Sequence, residues 1–436
     1  MTPDATTTIG LKPYDVVICG AGIAGSAAAI RLGRAGLRVA LVERSPDPGH
    51  FKRTCTHTIA AGTVPILDEL GLTEDLAAIR APRHIWELYT RMGWVRDDFD
   101  GRYPRLNCTV RRQMLDPLMR RHAVQSGDVE LLQGWLVEDV LRSGRRVTGV
   151  VARDRSGERV ELRAQLVVGA DGRESRVAKA AGLRERRRRH ERFGIWGYFE
   201  NVQLASHPHS QIYFLDPDCA FLMQTDSDLT ILVVAAHKRD LPEYRRDPEG
   251  FYWRFLARLP NPPRLDDAKQ VGGFVARFDM PNVRRPAAAP GLALVGDAVC
   301  STDPVWGWGC GWALSSSTLL ADAVVPALKA GAGLERALLR YRVRHLRTFA
   351  GPYQLAADYS RGRRFNVFER MLFTAAARDS ATARHLHGYF TSSIGLGRLL
   401  APHALARIAR VCLQHGWSRY GGAELPPPTP SVETAR

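Results

Sequence analysis

The 436-residue chain contains no long hydrophobic run and few cysteines, and each shortage excludes a class of protein. The apolar run before Gly20 is far too short to cross a bilayer, and no basic flank or cleavage site of a signal peptide accompanies it. We therefore predict a cytoplasmic protein without a transmembrane segment. The seven cysteines include no C-x-x-C pair, which favours reduced thiols over a disulfide framework or a metal site.

Lysine is also scarce, yet the net charge is +16 because arginine is abundant. The densest cationic cluster spans Arg184–Arg192 and contains no interleaved aromatic residue. Because it matches no nucleic-acid-binding module, we predict no specific nucleic-acid partner. We interpret the cluster as a solvated surface connection. Attraction of an anionic cofactor, substrate or acyl-carrier partner stays open as the alternative.

The most informative feature that is present is a G-x-G-x-x-G motif at residues 20–25. It follows an apolar run and opens an alanine-rich segment, and Glu43 ends the next apolar run. This is the order of a dinucleotide-binding βαβ unit. Gly20 permits a tight turn, Gly22 permits close approach of a pyrophosphate, and Gly25 permits the helix to pack on the strand. Glu43 is expected to accept hydrogen bonds from a ribose.

The length and the apolar pattern predict two cores, one for the nucleotide and one for the substrate. Alternating segments after about residue 193 indicate an antiparallel sheet, and the pattern is helical towards the C-terminus. The predicted organisation is a nucleotide-binding domain in three parts (14–85, 105–190 and 286–350), a substrate domain in two parts (86–104 and 191–285), a helical region (351–420) and disordered tails (1–12 and 422–436).

Two further motifs follow the glycine motif in order along the chain. Both place acidic, glycine or proline residues after an apolar run, namely Asp171 and Gly172 in the first, and Asp297, Pro304, Gly307 and Gly309 in the second. The ordered set resembles the FAD-dependent monooxygenases of the p-hydroxybenzoate hydroxylase fold, over about residues 14–350. Related branches are flavin halogenases and geranylgeranyl reductases. The resemblance implies an α/β fold with a discontinuous Rossmann-like FAD-binding domain, an antiparallel-sheet substrate domain and a C-terminal helical region.

The resemblance also implies roles for these residues around FAD. Asp297 would hold the ribityl chain, and Asp171 would serve the phosphate side. Pro304 would begin a loop and a helix N-terminus that stabilise the reduced ring, with Gly307 and Gly309 leaving room for it. The other predicted cofactor contacts are Arg44, Arg53, Arg112 and Gly172. For Arg53 and Arg112, surface ion pairing is the alternative.

No catalytic side chain is predicted, because the cofactor would carry the reactive chemistry. Trp306, Trp308 and Tyr213 are the predicted lining of an apolar substrate pocket. Cys55 and His57 follow the second predicted strand, where they could approach the flavin. For His57 we favour a polar loop residue over a covalent attachment point.

The implied activity is a monooxygenase reaction. NAD(P)H would reduce FAD, O2 would add as a C4a-hydroperoxide, and one oxygen atom would hydroxylate or epoxidise an apolar, natural-product-like substrate. A geranylgeranyl-reductase-like double-bond reductase is the alternative. A halogenase is disfavoured because no lysine lies between residues 52 and 179 and no W-x-W-x-I-P motif occurs, and a flavin-binding scaffold is disfavoured further. Cys300 stands where many aromatic hydroxylases have histidine, and we interpret it as a packing residue.

Overall fold

A parallel sheet, whose first strand leads into the glycine motif, is the centre of the fold. A computed structural model describes residues 12–96 and 106–416. The predicted disordered tails, apart from Lys12, and residues 97–104 of the predicted substrate domain lie outside these ranges.

The strands in the described ranges are β1 (Tyr14–Cys19), β2 (Val39–Glu43), β3 (Thr58–Ile59), β4 (Arg83–His84), β5 (Trp86–Thr90), β6 (Gly93–Val95), β7 (Asn107–Thr109), β8 (Val129–Gln133), β9 (Leu136–Ser143), β10 (Arg146–Arg153), β11 (Arg159–Gly169), β12 (Arg186–Arg188), β13 (Arg192–Glu200), β14 (Ser210–Phe214), β15 (Cys219–Gln224), β16 (Thr230–His237), β17 (Lys269–Gln270), β18 (Val275–Arg277), β19 (Asn282–Arg284), β20 (Ala288–Ala289), β21 (Leu292–Leu294) and β22 (Cys300–Ser301). The helices are α1 (Ile23–Arg34), α2 (Val64–Glu69), α3 (Thr73–Ala78), α4 (Arg112–Val124), α5 (Arg176–Ala180), α6 (Leu241–Arg246), α7 (Pro248–Ala257), α8 (Gly309–Lys329), α9 (Leu334–Tyr359), α10 (Val367–Ala376), α11 (Ser380–Phe390), α12 (Leu396–Leu399) and α13 (Pro402–His415).

The main sheet has the strand order β20-β21-β11-β1-β2-β8. Strand β1 lies between β11 and β2 and runs parallel to both, and β21 runs parallel to β11. These neighbours come from three separate stretches of the chain, as expected for a discontinuous Rossmann-like domain. Because the carboxyl ends of parallel strands meet at one edge, the turns after β1, β2, β11 and β21 come together there.

The second large sheet has the order β17-β13-β16-β15-β14-β5-β6 and is antiparallel except for the β14–β5 pair. Side chains alternate between its two faces, since the period of a strand is two residues. One face packs on the main core with Trp196 and Phe214. The other face packs under α6 and α7 in a second core with Phe193 and Tyr252. Helices α6 and α7 lie in the segment for which an antiparallel sheet was predicted.

The predicted fold class is therefore confirmed, with a parallel Rossmann-like sheet, an antiparallel sheet and C-terminal helices. The domain boundaries given above remain a prediction. Within the described ranges, no helix combines the length and the apolar character needed to cross a membrane. The same ranges contain no group of three or more histidine, cysteine, aspartate or glutamate side chains that could hold a metal ion.

Candidate active site

The glycine turn after β1 and the end of β2 form one hydrogen-bonded unit. The Ala21 N–H donates to Glu43 Oε2 at 3.0 Å, and the Ser45 N–H donates to Glu43 Oε1 at 3.0 Å. Gly20 has φ +106°, and a Cβ there would lie 2.5 Å from the Ala170 carbonyl oxygen. A Cβ at Gly25 would lie 1.8 Å from the Gly20 carbonyl oxygen. Only glycine therefore allows this turn and the close packing of α1 on it.

Gly22 differs from its two partners because the space above it is open. The nearest atom to a Cβ there would be Arg112 Nη2, at 3.6 Å. Gly22 is also the N-cap residue of α1, whose N-terminus offers unpaired N–H groups and the positive end of the helix dipole. This combination fits a pyrophosphate.

Arg112 is a buried cation beside this phosphate-sized space. Its Nε donates to Asp116 Oδ1 at 2.6 Å and its Nη2 donates to Asp116 Oδ2 at 2.9 Å. Because the paired carboxylate outweighs the effect of burial, the pKa of Arg112 is raised. The ion pair is buried within one helix, α4, so the alternative of surface ion pairing does not describe Arg112, and its contact with FAD remains a prediction.

Asp171 and Gly172 follow β11, next to the glycine turn. The Asp171 carboxylate accepts hydrogen bonds from Ser175 Oγ at 2.6 Å and from the Val177 N–H at 3.1 Å, and so helps to begin α5. Burial raises the pKa of Asp171. Gly172 has φ +82°, and a Cβ there would meet no atom within 4 Å. Here the structure shows an anchoring role for Asp171, and its contact with FAD remains a prediction.

Asp297 follows β21 at the same edge of the sheet. Lys52 Nζ donates to Asp297 Oδ2 at 2.7 Å. Burial opposes ionisation, but Lys52, Arg173 and Arg112 together hold the pKa of Asp297 below its ordinary value. Asp297 is therefore an ionised acceptor. Lys52 was not predicted, because its pairing joins residues far apart in the sequence.

The loop from Asp303 to Gly307 is held by a buried ion pair. Arg192 Nη1 donates to Asp303 Oδ2 at 2.7 Å, and His190 Nε2 lies 3.1 Å from the same oxygen. The Val305 N–H donates to Asp303 Oδ1 at 3.0 Å, which fixes the turn that begins at Pro304. Burial disfavours the Asp303 carboxylate, but His190 and Arg192 lower its pKa.

This ion pair corrects the interpretation of the arginine cluster. Arg186–Arg188 form strand β12 and are exposed, as a surface segment would be. His190 and Arg192, however, are fully buried, because β13 begins at Arg192 and directs that side chain inward. The cluster is thus a solvated segment at one end and a support of the Pro304 loop at the other.

Gly307 and Gly309 close this loop at the start of α8. Gly307 has φ +65°, a backbone conformation that side chains rarely adopt. A Cβ at Gly309 would meet no atom within 4 Å, and no side chain of the N-cap residue Trp308 caps the first turn of α8. Such a helix N-terminus fits the electron-rich end of a reduced flavin.

Aromatic side chains from distant segments pack against one another beside this loop and form an aromatic cluster. The Trp306 ring stacks between those of Trp308 and Phe390, with centroids 5.3 and 5.2 Å away. The Trp308 Nε1–H donates to the Phe390 carbonyl oxygen at 2.9 Å, and the Phe214 ring lies 5.5 Å from that of Trp306. Sequence reasoning missed Phe390, because α11 belongs to the region predicted as separate C-terminal helices.

Tyr213 does not belong to this aromatic cluster. Its ring lies in the second core, on the opposite face of the antiparallel sheet from Phe214. Its hydroxyl donates towards the carbonyl oxygens of Pro260 and Asn261 at 2.9 and 3.0 Å. Tyr213 and Phe214 are neighbours in one strand, so they point to opposite faces, and the prediction chose the wrong one.

Three buried indole N–H groups near this aromatic cluster have no acceptor among the residues that the structure describes. They belong to Trp86, Trp196 and Trp306. A Cβ at Gly307 would lie 3.5 Å from Trp86, which places that ring beside the Pro304 loop. Buried donors without a partner are rare in proteins, so these groups fit a ligand that carries acceptor atoms.

His57 and Tyr198 form a polar pair in this apolar environment. The Arg112 N–H donates to His57 Nδ1 at 3.0 Å, so Nε2 of the neutral ring carries the proton. His57 Nε2 lies 2.5 Å from the Tyr198 hydroxyl oxygen, to which it donates. Burial and the nearby Arg112, Arg111 and Lys52 lower the pKa of His57 to about 3. The Tyr198 hydroxyl hydrogen is therefore available to a further acceptor.

Two predicted cofactor residues, Arg44 and Arg53, lie at the surface, and a further buried arginine, Arg120, was not predicted. Arg44 and Arg53 are exposed, and their contacts with FAD remain predictions. Arg120 is buried on α4, and its Nη2 donates to the carbonyl oxygens of Pro48 and His50 at 2.7 and 2.6 Å. It thereby holds the segment after Glu43 against the glycine turn. Its place in the R-x-x-L-D helix was the only available signal.

These features define a dinucleotide-binding flavoprotein with a buried aromatic cluster at the start of α8. The chain belongs to the family described as "FAD binding domain", whose model matches residues 13–349. The predicted assignment to an FAD-dependent oxidoreductase is therefore confirmed. Monooxygenases and halogenases both occur among its relatives.

Two relatives and one solved structure illustrate this range. The chain is 26% identical to a 1H-pyrrole-2-carbonyl-[peptidyl-carrier protein] chlorinase of Pseudomonas fluorescens, over 72% of this chain and 76% of the relative. It is 27% identical to a para-nitrophenol 4-monooxygenase of a Pseudomonas species, over 73% and 79%. A triple mutant of the flavin-dependent brominase Bmp2 has the same fold, with a TM-score of 0.71, 20% identity, and coverage of 91% of this chain and 100% of that one.

Proposed function

We propose that this protein is a monooxygenase that uses FAD, NAD(P)H and O2 to hydroxylate or epoxidise an apolar, natural-product-like substrate. The observation that carries the proposal is the buried aromatic cluster of Trp306, Trp308 and Phe390 at the start of α8. A cluster of this kind would keep water away from a bound flavin and would favour an apolar substrate beside it. FAD, when bound, supplies the electrons and the activated oxygen.

The residues of the chain bind and orient the two molecules. The turn at Gly22, the Arg112 guanidinium and the Asp297 carboxylate suit the pyrophosphate and ribityl parts of FAD. The N-terminus of α8 stabilises negative charge on the reduced ring. On the substrate side, Tyr198 can donate one hydrogen bond, because His57 satisfies its oxygen. The unpartnered indole N–H groups of Trp86, Trp196 and Trp306 favour a substrate with carbonyl or hydroxyl oxygens.

The lysine positions support oxygenation over halogenation. In the halogenase branch, a lysine lies between the flavin and the substrate. Of the six lysines in this chain, Lys52 is the one near the site, and it is ion-paired with Asp297 on the cofactor side. We therefore favour oxygenation over halogenation as the activity. A chlorinase and a monooxygenase are similarly distant relatives of this chain.

The form in which the substrate arrives is a separate part of the proposal. The related chlorinase acts on a pyrrole carbonyl group attached to a peptidyl carrier protein. A carrier-bound substrate is compatible with the net charge of +16, which would attract an acidic carrier. A free small molecule is the other form, and the experiment must offer both.

The decisive experiment follows the mass of the product under ¹⁸O₂. Apolar phenols in free form, and pyrrole-2-carboxylate both free and as a carrier-bound thioester, are incubated with the holoenzyme, NADH or NADPH, and bromide. We expect a product that gains one ¹⁸O, and NAD(P)H oxidation that accelerates with that substrate. A brominated product without ¹⁸O would identify a halogenase. A product that gains two hydrogens and no oxygen would identify a double-bond reductase.

A further inference from the structure

Two thiols meet beside the cofactor site, although their residues are 255 positions apart in the sequence. Cys55 Sγ lies 3.6 Å from Cys310 Sγ. Cys55 precedes β3, and Cys310 lies in the first turn of α8, directly after Gly309. Among the cysteines of the described ranges, no other two thiols are in contact. The contact therefore joins the segment after β2 to the helix whose N-terminus faces the ring position.

The surroundings of Cys55 stabilise its thiolate. The hydrogen bond from Cys310 contributes most, and Arg112, Lys52 and the His57 N–H, 3.2 Å from Cys55 Sγ, act in the same direction. Together they outweigh burial and lower the pKa of Cys55 to about 6. The same hydrogen bond and burial raise the pKa of Cys310. The surroundings thus favour the thiolate form at Cys55 over the thiolate form at Cys310.

The backbone at this point is also held in an uncommon conformation. His57 has φ +62°, and its N–H, its ring and its carbonyl oxygen are all hydrogen-bonded. Non-glycine residues adopt this conformation only where the surroundings impose it. Cys55 Sγ accepts one of these hydrogen bonds, and the two sulfur atoms would have to approach from 3.6 Å to about 2.05 Å to form a bond.

We propose that Cys55 and Cys310 are a peroxide-reactive pair that closes a disulfide at the edge of the flavin site. The Cys55 thiolate attacks hydrogen peroxide: an S–O bond forms, the O–O bond breaks, and hydroxide leaves to give a sulfenic acid. Cys310 then attacks that sulfur, so that an S–S bond forms and the S–O bond breaks. The proton of Cys310 leaves with the oxygen as water. Overall, two thiols and one hydrogen peroxide give one disulfide and two waters.

The disulfide would link two segments that border the cofactor site. Segment 44–57 lies against the glycine turn through Arg120, and α8 begins at the ring position. Oxidation is therefore expected to slow the release of FAD several-fold. In the cell, the peroxide would come from oxygen reduced at this site without a substrate, and in this one respect the proposal rests on the proposed function.

Peptide mapping tests the bond itself. The holoenzyme is treated with hydrogen peroxide, alkylated under denaturing conditions and digested with trypsin. We expect the peptide 54–80 to be linked to the peptide that ends at Lys329, with a loss of two hydrogens that dithiothreitol reverses. The second peptide also carries Cys300, so fragment ions must place the bond at Cys310. A bond to Cys300, or two free thiols at Cys55 and Cys310 after peroxide, would overturn the proposal.

Three variants separate the two steps. In Cys310→Ser, Cys55 should stop at the sulfenic acid, which dimedone traps, and in Cys55→Ser no disulfide should form. Cys412→Ser, in which another buried cysteine is replaced on α13, should form the disulfide as the unaltered protein does. An unchanged loss of two hydrogens in Cys55→Ser would contradict the assignment.

The release of FAD from oxidised and reduced holoenzyme tests the consequence. The two rates should differ in the unaltered protein and in Cys412→Ser, and should coincide in Cys55→Ser. Equal rates in the unaltered protein would overturn the proposed closing of the site. Because peroxide is added and no turnover is needed, failure of this test leaves the monooxygenase proposal intact. If the ¹⁸O₂ experiment fails, the disulfide can still be tested with added hydrogen peroxide.

Discussion

At the scale of single residues, the three glycines of the first motif differ in what a side chain would contact. At Gly20 and Gly25 a Cβ would overlap with backbone oxygens, at 2.5 and 1.8 Å. At Gly22 the nearest atom would be a guanidinium nitrogen at 3.6 Å. The fold itself therefore requires Gly20 and Gly25, whereas Gly22 is required by what binds above it.

This difference predicts opposite behaviour for two valine variants. Gly22→Val should fold with near-normal thermal stability as apo-protein but lose most of its FAD, because the side chain occupies the place of the pyrophosphate. Gly25→Val should lose thermal stability even without FAD, because its Cβ overlaps with the Gly20 carbonyl. The measurements are the ratio of flavin to protein absorbance and the melting temperature of the apo-proteins. Full flavin content in Gly22→Val would show that the phosphates bind elsewhere.

Which residues could be predicted depended on how far apart their partners lie in the sequence. Glu43 could be predicted, because a fixed spacing after the glycine turn places it at the end of the neighbouring strand. Lys52 with Asp297 could not, because the two residues follow strands that are far apart in the sequence. His57 with Tyr198 could not, because Tyr198 belongs to the antiparallel sheet. For Tyr213 the strand was recognised, but the direction of its side chain depends on which face covers the active site.

At the scale of elements, the join between β13 and the Pro304 loop depends on a fully buried ion pair. Arg192 contacts Asp303 and also donates to the carbonyl oxygens of Pro217 and Tyr359, at 2.8 and 3.0 Å. A buried ion pair is costly to break from one side, because the remaining charge loses its partner without regaining water. We therefore expect the Pro304 loop before α8 to lose its fixed position when this ion pair is broken.

Asp303→Asn should therefore destabilise the apo-protein by about 3–5 kcal/mol, since Arg192 is left charged and buried. The double variant Arg192→Met/Asp303→Asn should recover part of that loss, because it removes the uncompensated charge and keeps a side chain that can cap Pro304–Trp306. Urea denaturation of the three proteins measures both effects. A double variant that is less stable than Asp303→Asn would show that Arg192 acts through its other hydrogen bonds.

Helix α9 carries a histidine that makes stability dependent on pH. His345 is buried against Phe349, with ring centroids 4.6 Å apart, and burial with nearby Arg284 lowers its pKa to about 3. Between about pH 6.5 and pH 3 the unfolded chain binds a proton here that the native state does not. This contribution to the free energy of unfolding is therefore complete above pH 6.5 and decreases as the pH falls.

His345→Phe should remove that pH dependence. Relative to the unaltered protein, the variant should gain roughly 2 kcal/mol of stability on going from pH 7 to pH 5, because one pKa unit corresponds to about 1.4 kcal/mol. Urea denaturation at the two pH values measures the gain, with His415→Phe at an exposed position as the control for the substitution. An equal change in both variants would show that His345 is not the titrating group.

At the scale of the whole molecule, charge and fold are separate properties. The parallel sheet could be predicted from apolar runs and glycines, but the excess of arginine carries no information about topology. The structure shows that the cluster is partly neutralised where it is exposed. Arg187 pairs with Glu174 at 2.7 Å and with Glu185, and Arg189 pairs with Glu191. These local pairs reduce the positive charge that the cluster presents to a polyanion.

We therefore expect only weak, charge-driven binding of nucleic acid. Fluorescence anisotropy with a DNA duplex should give an affinity that falls steeply between about 50 and 200 mM salt, as counterion release requires. Arg186 and Arg188 are exposed in β12, and Arg336 and Arg340 are exposed on α9, so two double glutamine variants form a matched pair. Both should weaken binding to a similar extent, because each removes two positive charges from the surface. Tight, sequence-dependent binding at physiological salt that only the β12 variant loses would instead identify the cluster as a recognition site.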